Sequence, residues 1–151
     1  MIGILSAGEV ELLLKIQVVG HLGCTDGYNT YVYPVNYVYD DHFIFCHSTP
    51  GAKLDMMRKN NRVCLQVEEC IDFTHWKSVM VQGIFQELEE ERDRYTAMKM
   101  FAEKNLYQKI NQPVLPHNTT VNGTQVKWHV KNRPVFFRIV IDEKTGRYED
   151  D

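Results

Sequence analysis

One stretch of the sequence, residues 45–63, combines residue types that suit the binding of an anion. A short apolar run ends at Cys46, a polar turn follows, and a segment with helical spacing begins after Gly51. Hydroxyl side chains, a proline and a glycine just before such a segment are typical of a helix N-terminus. The free N–H groups of a first turn and the helix dipole favour negative charge, and Lys53 adds a full positive charge. We therefore interpret residues 47–53 as a phosphate-binding turn.

Two common phosphate-binding loops are excluded by their spacing. The nucleoside-triphosphate loop requires Gly-x-x-x-x-Gly-Lys-Ser/Thr. Here Gly51 lies two residues before Lys53, no second glycine precedes it closely, and Leu54 stands where a magnesium-binding hydroxyl is needed. The Gly-x-Gly-x-x-Gly fingerprint of dinucleotide folds is also missing from the sequence. The turn therefore favours a ligand of the mononucleotide type.

Length and composition limit the class of protein. The chain has 151 residues, of which 44% are hydrophobic and 25% charged, and its net charge is −3. These values are typical of one globular domain, so we expect a single domain over residues 1–151. A slightly acidic chain gives no reason to expect a nucleic-acid partner. No apolar run reaches the roughly 18 residues of a membrane span, and the start of the chain lacks the pattern of a signal peptide. A cytoplasmic location is the resulting expectation.

Metal binding is not indicated by the cysteines and histidines. The four cysteines include no Cys-x-x-Cys pair, so the spacing of a zinc site is absent. Cys46 and Cys64 lie in apolar runs, where a free cysteine behaves as a small hydrophobe. The histidines other than His47 show no pairing typical of metal ligands, and we expect structural or surface roles for His21, His42, His75, His117 and His129.

Hydrophobic periodicity and turn residues predict the elements that must position the turn. Predicted helices cover 7–16, 50–60 and 89–105, and predicted strands cover 16–22, 28–39, 43–46, 62–67, 76–88, 126–130 and 134–141. Ser6 and Glu9 form a capping-box pattern, and Asp26-Gly27 is a hairpin signal. Pro34 places its strand at an edge or a bend, and Gly83 indicates a bulge or a close backbone approach.

The remaining segments complete a mainly β (α+β) prediction. Residues 106–124 are expected to be a long loop and residues 145–147 a turn. The third helix should bury an apolar stripe formed by Tyr95, Met98, Phe101 and Ala102. Six or seven strands with hairpin spacing and three helices predict an antiparallel barrel with helical caps.

The order of several short motifs resembles a known family over nearly the whole chain. The motifs are Val19-Gly20-His21-Leu22-Gly23, Asp26-Gly27-Tyr28, Tyr33-Pro34-Val35-Asn36-Tyr37, Phe45-Cys46-His47-Ser48 with Gly51 and Lys53, Asn60-Asn61-Arg62-Val63, Ser78-Val79 before Gly83, Phe137-Arg138-Ile139 and Thr145-Gly146-Arg147. Together they resemble the FMN-binding split barrel of the pyridoxamine 5′-phosphate oxidase superfamily, and most closely its nitroimidazole-resistance branch. The resemblance implies a six- to seven-stranded antiparallel split β-barrel and an FMN bound at the interface of a homodimer.

The resemblance also implies site residues. Lys53 matches the phosphate-binding lysine of the family, and His47, Ser48 and Gly51 lie in the turn that approaches it. The strand whose backbone edge meets the flavin matches Tyr33, Pro34, Val35 and Asn36. On a later strand, the implied flavin contacts are Ser78, Lys77 beside it, and Trp76 as a cover for the ring.

The charge of the turn departs from the family pattern. The oxidase proper carries several arginines around its phosphate, whereas this turn offers His47, Thr49 and Lys53. This difference implies weaker phosphate binding, or help from Arg58 or from a residue of a partner subunit. It also argues against pyridoxamine-phosphate oxidation itself, because no second phosphate site for that substrate is evident.

The function implied by the resemblance is that of an FMN-dependent oxidoreductase acting on a small, planar or redox-active compound such as a nitro-aromatic. His47 is the candidate catalytic residue, as a proton donor or a substrate contact, since an unperturbed imidazole titrates near pH 6.5. A capping or core histidine is the alternative reading of His47. Two other functions stay open: a non-catalytic protein that stores or senses flavin or holds haem, and a barrel that has lost its cofactor and serves as an interaction module.

Overall fold

The computed structural model describes residues 1–109 and 134–151, and it describes the side chains of all of these except residues 106–109. Within this part of the chain there are seven strands and three helices. In chain order they are β1 (Ile2–Ile4), α1 (Ala7–Ile16), β2 (Val19–Thr25), β3 (Thr30–Tyr39), β4 (Phe43–Ser48), α2 (Ala52–Lys59), β5 (Arg62–Cys70), β6 (His75–Glu87), α3 (Glu91–Lys109) and β7 (Val135–Asp150).

The seven strands form one antiparallel sheet that closes on itself. Their order is β1-β7-β4-β3-β2-β5-β6, and β6 pairs in addition with β7. This second pairing runs along nearly the whole of both strands and converts the sheet into a barrel. Closure protects the long strands from edge-to-edge association. The predicted antiparallel split barrel with helical caps is confirmed.

The barrel is split beside β3. The first part of this strand, Thr30–Asn36, pairs with β2, and only Tyr37–Tyr39 pairs with β4. Pro34 lies opposite His21 in the part that has one strand partner. A proline has no N–H to donate, so it is tolerated on such an open edge. The predicted edge position of Pro34 is confirmed.

Two apolar clusters hold the barrel and its helices. The main cluster fills the barrel, and α1 contributes Val10, Leu13 and Leu14 to it. Burial of each such side chain stabilises the fold by about 1.5–3 kcal/mol. The second cluster lies between the sheet and α3 and comprises Val38, Phe45, Leu88, Ala97, Phe101 and Phe136.

Polar contacts fix α1 against the barrel. The Tyr37 hydroxyl donates a hydrogen bond to the backbone carbonyl of Leu14 at 2.7 Å. Tyr39 and Lys144 both donate to the carboxylate of Glu11. Partial burial disfavours the ionised form of Glu11, but these two hydrogen bonds outweigh it and lower the carboxyl pKa. The carboxylate therefore stays ionised and keeps α1 tied to both β3 and β7.

One sequence prediction is wrong and another holds only in part. Residues 145–147 do not turn the chain but continue β7, where Gly146 pairs with Val79. A Cβ on Gly146 would lie 2.8 Å from Leu5, so this glycine serves close packing and not a turn. In α3 the predicted stripe is confirmed for Phe101, which is buried, whereas Tyr95 and Met98 are 68% and 39% exposed. The fully buried residue of that helix face is Ala97.

Other predictions are confirmed or extend beyond the described residues. The bulge expected at Gly83 is present as a register shift between Gln82 and Gly83, and a Cβ there would lie 2.3 Å from the Val140 carbonyl oxygen. The loop predicted at 106–124 is helical over 106–109. Its remainder and the strand predicted at 126–130 lie outside the described residues. Within 1–109 and 134–151, no helix combines the length and hydrophobicity needed to cross a membrane.

Candidate functional site

The turn between β4 and α2 lies at the split of the barrel. Pairing of β4 with β3 ends at Cys46, which lies opposite Tyr37. His47 and Ser48 still pair with Phe136 and Val135 of β7 on the other side of β4. The chain therefore leaves β3 while it stays attached to β7, and the open edge of β3 faces the turn that enters α2.

The N-terminus of α2 has no side-chain cap. Gly51 is the N-cap residue, in an extended conformation with φ 168°, and it offers no side-chain acceptor. The helix start predicted from the hydroxyls, the proline and the glycine is confirmed, but the Ser48 hydroxyl does not cap it and donates to the Thr49 carbonyl at 3.1 Å. The first N–H groups of a helix need an acceptor from elsewhere. Such an end is suited to an anion.

Lys53 brings its charge to the same place. Its ammonium lies 5.1 Å from the ring centre of Tyr33 on β3, at a distance typical of a cation–π contact. Within the described residues it forms no ion pair with a carboxylate. Arg58 differs, because it binds Glu87 at 2.7 Å and Asp55 at 3.3 Å. The help for a phosphate that was expected from Arg58 is therefore not supported, and Lys53 is the cation of the turn.

His47 is half-buried between the sheet and α3. Its ring meets the Phe101 ring edge-on at 4.8 Å between centres and lies 5.8 Å from Phe136. Burial, and then the nearby positive charge of Lys53, lower the pKa of the imidazole. Neutral imidazole is therefore the favoured form near pH 7. This environment favours a role as a hydrogen-bonding contact or proton acceptor over the proton donor considered from the sequence.

The predicted residues of β3 divide between the two faces of the strand. Tyr33 contacts the main apolar cluster and Val35 is buried in it, whereas Pro34 and Asn36 are exposed on the outer face. The side chain of Val35 therefore cannot reach a ligand outside the barrel. The backbone of all four residues runs along the open edge, where N–H and C=O groups can bind a polar ring.

Ser78 belongs to a hydrogen-bonded row on the outer face. The Gln66 amide on β5 donates to the Ser78 hydroxyl at 2.9 Å, and its oxygen lies 3.1 Å from Nδ1 of His21 on β2. His21 in turn is the register partner of Pro34. Sequence reasoning left His21 as structural or surface and did not single out Gln66. The only signal available was the alternation of side chains along β2 and β5.

Trp76 and Lys77 lie near one end of the same strand. The Trp76 indole N–H donates to Glu149 at 3.0 Å. Together with Glu9 and Tyr148, these residues line a surface cleft of about 410 Å³. Trp76 shares the face of Ser78, whereas Lys77 alternates to the opposite face. Their assignment as ligand contacts remains a prediction.

The predicted site residues thus form two groups. His47, Ser48, Gly51, Lys53 and the β3 edge surround the split, and Ser78 and Trp76 lie on β6. Three strand spacings separate β3 from β6 in the sheet order, which corresponds to about 14 Å. A single ligand reaches both groups only if it lies across the outer face. The geometry suits a molecule with a phosphate at one end and a planar polar ring at the other.

Comparison with known sequences identifies relatives of this chain. Residues 6–147 match the family model described as pyridoxamine 5′-phosphate oxidase. The uncharacterized protein RA0666 of Rhizobium meliloti is 28% identical over 95% of this chain and 93% of its own length.

Solved structures show the same architecture. A FAD-binding protein from Mesorhizobium loti is 29% identical and aligns over 99% of both chains with a TM-score of 0.74. A candidate 5-nitroimidazole antibiotic resistance protein from Bacteroides thetaiotaomicron is 19% identical, covers 98% of this chain and 87% of its own, and has a TM-score of 0.73. At this lower identity the likeness concerns the fold. Since the family model spans nearly the whole sequence, the chain belongs to the pyridoxamine 5′-phosphate oxidase family.

Proposed function

We propose that this protein binds a flavin nucleotide at the split of the barrel. The observation that carries the proposal is the uncapped N-terminus of α2, with Lys53 beside the open edge of β3. The donors present there are those that a phosphate needs, namely backbone N–H groups and one ammonium. The similarity to a FAD-binding protein at 29% identity supports a flavin as the ligand.

Each group of residues has a defined task in this proposal. Gly51 and Lys53 hold the phosphate, the backbone of residues 33–36 meets the polar edge of the ring, and Ser78 contacts the ring from β6. A bound flavin would supply hydride or single-electron transfer, which no side chain of this chain provides. The protein contributes the position of the ligand and the charges around it.

The identity of the flavin is the first experiment. FMN is the prediction from the sequence, and FAD is the second candidate because of the Mesorhizobium loti protein. The purified protein should show the two flavin absorbance bands in the blue and near ultraviolet. Denaturation followed by chromatography and mass measurement of the released molecule distinguishes FMN from FAD. A colourless protein that takes up neither flavin contradicts the proposal, and a sharp Soret band would indicate haem.

Our proposed activity is the reduction of a small planar compound, of which a nitro-aromatic is the most concrete example. The choice rests on the resemblance of the sequence motifs to the nitroimidazole-resistance branch. Anaerobic oxidation of NADH or NADPH with a nitro-aromatic acceptor separates an enzyme from a flavin store. His47→Ala should lower turnover of the chemically reduced protein. Unchanged turnover in that variant removes His47 from the reaction.

We further propose a homodimer with the flavin at its interface. The outer face of β2 and β3 exposes apolar side chains, with Val19 45% and Val32 65% exposed in the single chain. Such a surface is suited to burial against a second copy. Sedimentation of the flavin-loaded protein tests this assembly, and a monomer that retains flavin contradicts the interface site.

A further inference from the structure

The row of His21, Gln66 and Ser78 on the outer face continues to Glu68, whose carboxylate accepts a hydrogen bond from Gln66. Gln66 donates from the same amide nitrogen to the Ser78 hydroxyl at 2.9 Å and to the Glu68 carboxylate at 3.2 Å. An ionised carboxylate has no proton to donate. The amide NH2 of Gln66 must therefore point toward Glu68, and its oxygen must point toward His21.

This orientation fixes the direction of the other hydrogen bonds. The Gln66 oxygen lies 3.1 Å from Nδ1 of His21, so Nδ1 carries the proton and donates it. In a neutral imidazole, Nε2 is then the atom with the lone pair. At the other end, the Ser78 oxygen accepts from Gln66. The hydroxyl proton of Ser78 is consequently directed away from Gln66.

The row lies where the proposed flavin would cross the sheet. His21 is the register partner of Pro34 at the open edge of β3, and Gln66 lies opposite His21 on β5. Ser78 lies on β6 at the far side of the same face. His21, Gln66 and Ser78 are all half-buried, so they are accessible to a ligand but restricted in movement.

We propose that Gln66 is a positioning residue that aligns the Ser78 hydroxyl to donate a hydrogen bond to an acceptor atom of the flavin ring. This inference rests on the flavin-binding function proposed above. A ring carbonyl oxygen or ring nitrogen gains electron density when the flavin is reduced. A hydrogen bond donated to it stabilises the reduced form more than the oxidised form. The Glu68–Gln66–Ser78 row therefore raises the midpoint potential of the bound flavin.

The test compares the midpoint potentials of flavin-loaded variants. Ser78→Ala should shift the potential to a more negative value. Gln66→Met should shift it in the same direction but less, because the hydroxyl remains and loses only its alignment. The double variant should equal Ser78→Ala alone, because both changes act on the same hydrogen bond from Ser78 to the ring. Glu68→Gln also removes a negative charge, which by itself makes the potential more positive, so this variant tests the tautomer of His21 and not the potential. Gln82→Leu, on the same face of β6, serves as the control and should leave the potential unchanged.

Three outcomes would overturn the inference. An unchanged potential in Ser78→Ala shows that the hydroxyl does not contact the ring. A shift in Ser78→Ala without one in Gln66→Met shows that Ser78 acts alone. Equal shifts in the Gln82→Leu control show a general effect of the sheet face.

A measurement on the flavin-free protein separates this inference from the proposed function. The ¹⁵N chemical shifts of the His21 ring should report the tautomer with the proton on Nδ1, and Glu68→Gln should reduce its population. The opposite tautomer in the wild type overturns the row even if flavin binds. If the expected tautomer is found but no flavin binds, the proposed function fails and the inference fails with it, while the hydrogen-bond row itself stands.

Discussion

Helices α1 and α2 both begin at the barrel, but their first turns are satisfied in opposite ways. In α1, the Ser6 hydroxyl accepts from the Glu9 N–H at 3.2 Å, and the Glu9 carboxylate accepts from the Ser6 N–H at 2.8 Å. Both bonds of a capping box are present. In α2, Gly51 provides no side-chain acceptor. The chain closes one helix end with its own residues and leaves the other available to a ligand.

The difference separates a stabilising element from a binding element at the level of single residues. The hydrogen bond from the Ser6 backbone lowers the pKa of Glu9, so the Glu9 carboxylate of the capping box stays ionised at neutral pH. The first turn of α2 carries Lys53 close to Tyr33, and its acidic residue, Asp55, is paired with Arg58. A helix N-terminus binds a phosphate only where its N–H groups are not already satisfied.

Among the changes that test this difference between α1 and α2, removal of the Lys53 charge should have the largest effect. Lys53→Ala should weaken flavin binding about 10- to 100-fold, because a hydrogen bond to a charged group contributes about 1.5–3 kcal/mol. The dissociation constant is measured by titration of flavin into the stripped protein. Lys59→Ala, in the exposed last turn of α2, is the matched control. Equal retention of flavin in Lys53→Ala would place the phosphate elsewhere.

The C-terminal end of α1 gives a second, pH-dependent prediction. Lys104 of α3 donates a hydrogen bond to the carbonyl of Gln17, the C-cap of α1, at 2.6 Å. It donates another to the carbonyl of Tyr37 at 3.1 Å. Burial lowers the pKa of Lys104 to about 8. Between that value and the lysine value near 10.4 the unfolded chain binds more protons, so the free energy of unfolding should rise with pH, by on the order of 2 kcal/mol.

The variant Lys104→Met tests this dependence. The free energy of unfolding of this variant should lack the part of the rise that the buried Lys104 causes in the wild type above pH about 8. Urea unfolding at pH 7.5 and at pH 10 measures both proteins, and the difference between them removes the contribution of other titrating groups. An equal rise in the free energy of unfolding of both proteins would show that burial of the Lys104 ammonium does not destabilise the fold.

Closure of the open end of α2 should weaken binding more moderately. Gly51→Asp places a carboxylate at the N-cap, where it accepts from the first-turn N–H groups and repels a phosphate. The extended backbone accommodates it, and nothing lies within 4 Å of the new Cβ. We expect about tenfold weaker flavin binding and a gain in stability of a few tenths of a kcal/mol.

Gly8→Asp is the control for that change. Gly8 lies in the first turn of α1, and nothing lies within 4 Å of a Cβ at this position either. Gly8→Asp adds the same charge to α1, whose N-terminus is already capped, so flavin affinity should stay at the wild-type value. Tighter binding in Gly51→Asp would mean that the open end does not contact the phosphate.

The smallest effect is expected from the closed end of α1. Ser6→Ala removes the hydroxyl that accepts from the Glu9 N–H and should lower the free energy of unfolding by about 1 kcal/mol. Flavin affinity should not change, because this end offers no donors to the ligand. Urea unfolding of Ser6→Ala and of the conservative Ser6→Thr measures the loss. A loss of flavin in Ser6→Ala with normal stability would remove the distinction between the two helices.

The parts of the fold that could be predicted depend on local chemistry. Ser6 and Glu9 form the expected cap. In the Asp26-Gly27 hairpin, Gly27 has φ 90°, and the Asp26 carboxylate accepts hydrogen bonds from the N–H groups of Tyr28 and Asn29. Gly83 marks its bulge as an isolated glycine within a strand pattern. Each of these signals is complete within a few residues, so the sequence is sufficient to identify it.

The parts that could not be predicted depend on distant partners. The sequence predicts a turn at Gly146 because it does not show that Leu5 lies against this glycine. The turn at residues 47–53 was found as a motif, but the row of His21, Gln66 and Ser78 requires the register of three strands. Hydrogen bonds that span 45 and 12 residues leave no mark on the local pattern.

The ladder between β6 and β7 has a consequence for the order of folding. It joins residues 75–87 with residues 137–150 and is the most extensive pairing of the barrel. Bringing together segments so distant in sequence carries a large loop-closure entropy, which slows folding. The hairpins β2–β3, β3–β4 and β5–β6 are local, so we expect them to form first and the ladder to close the barrel last. The open edge of β3 would then exist before the barrel is complete.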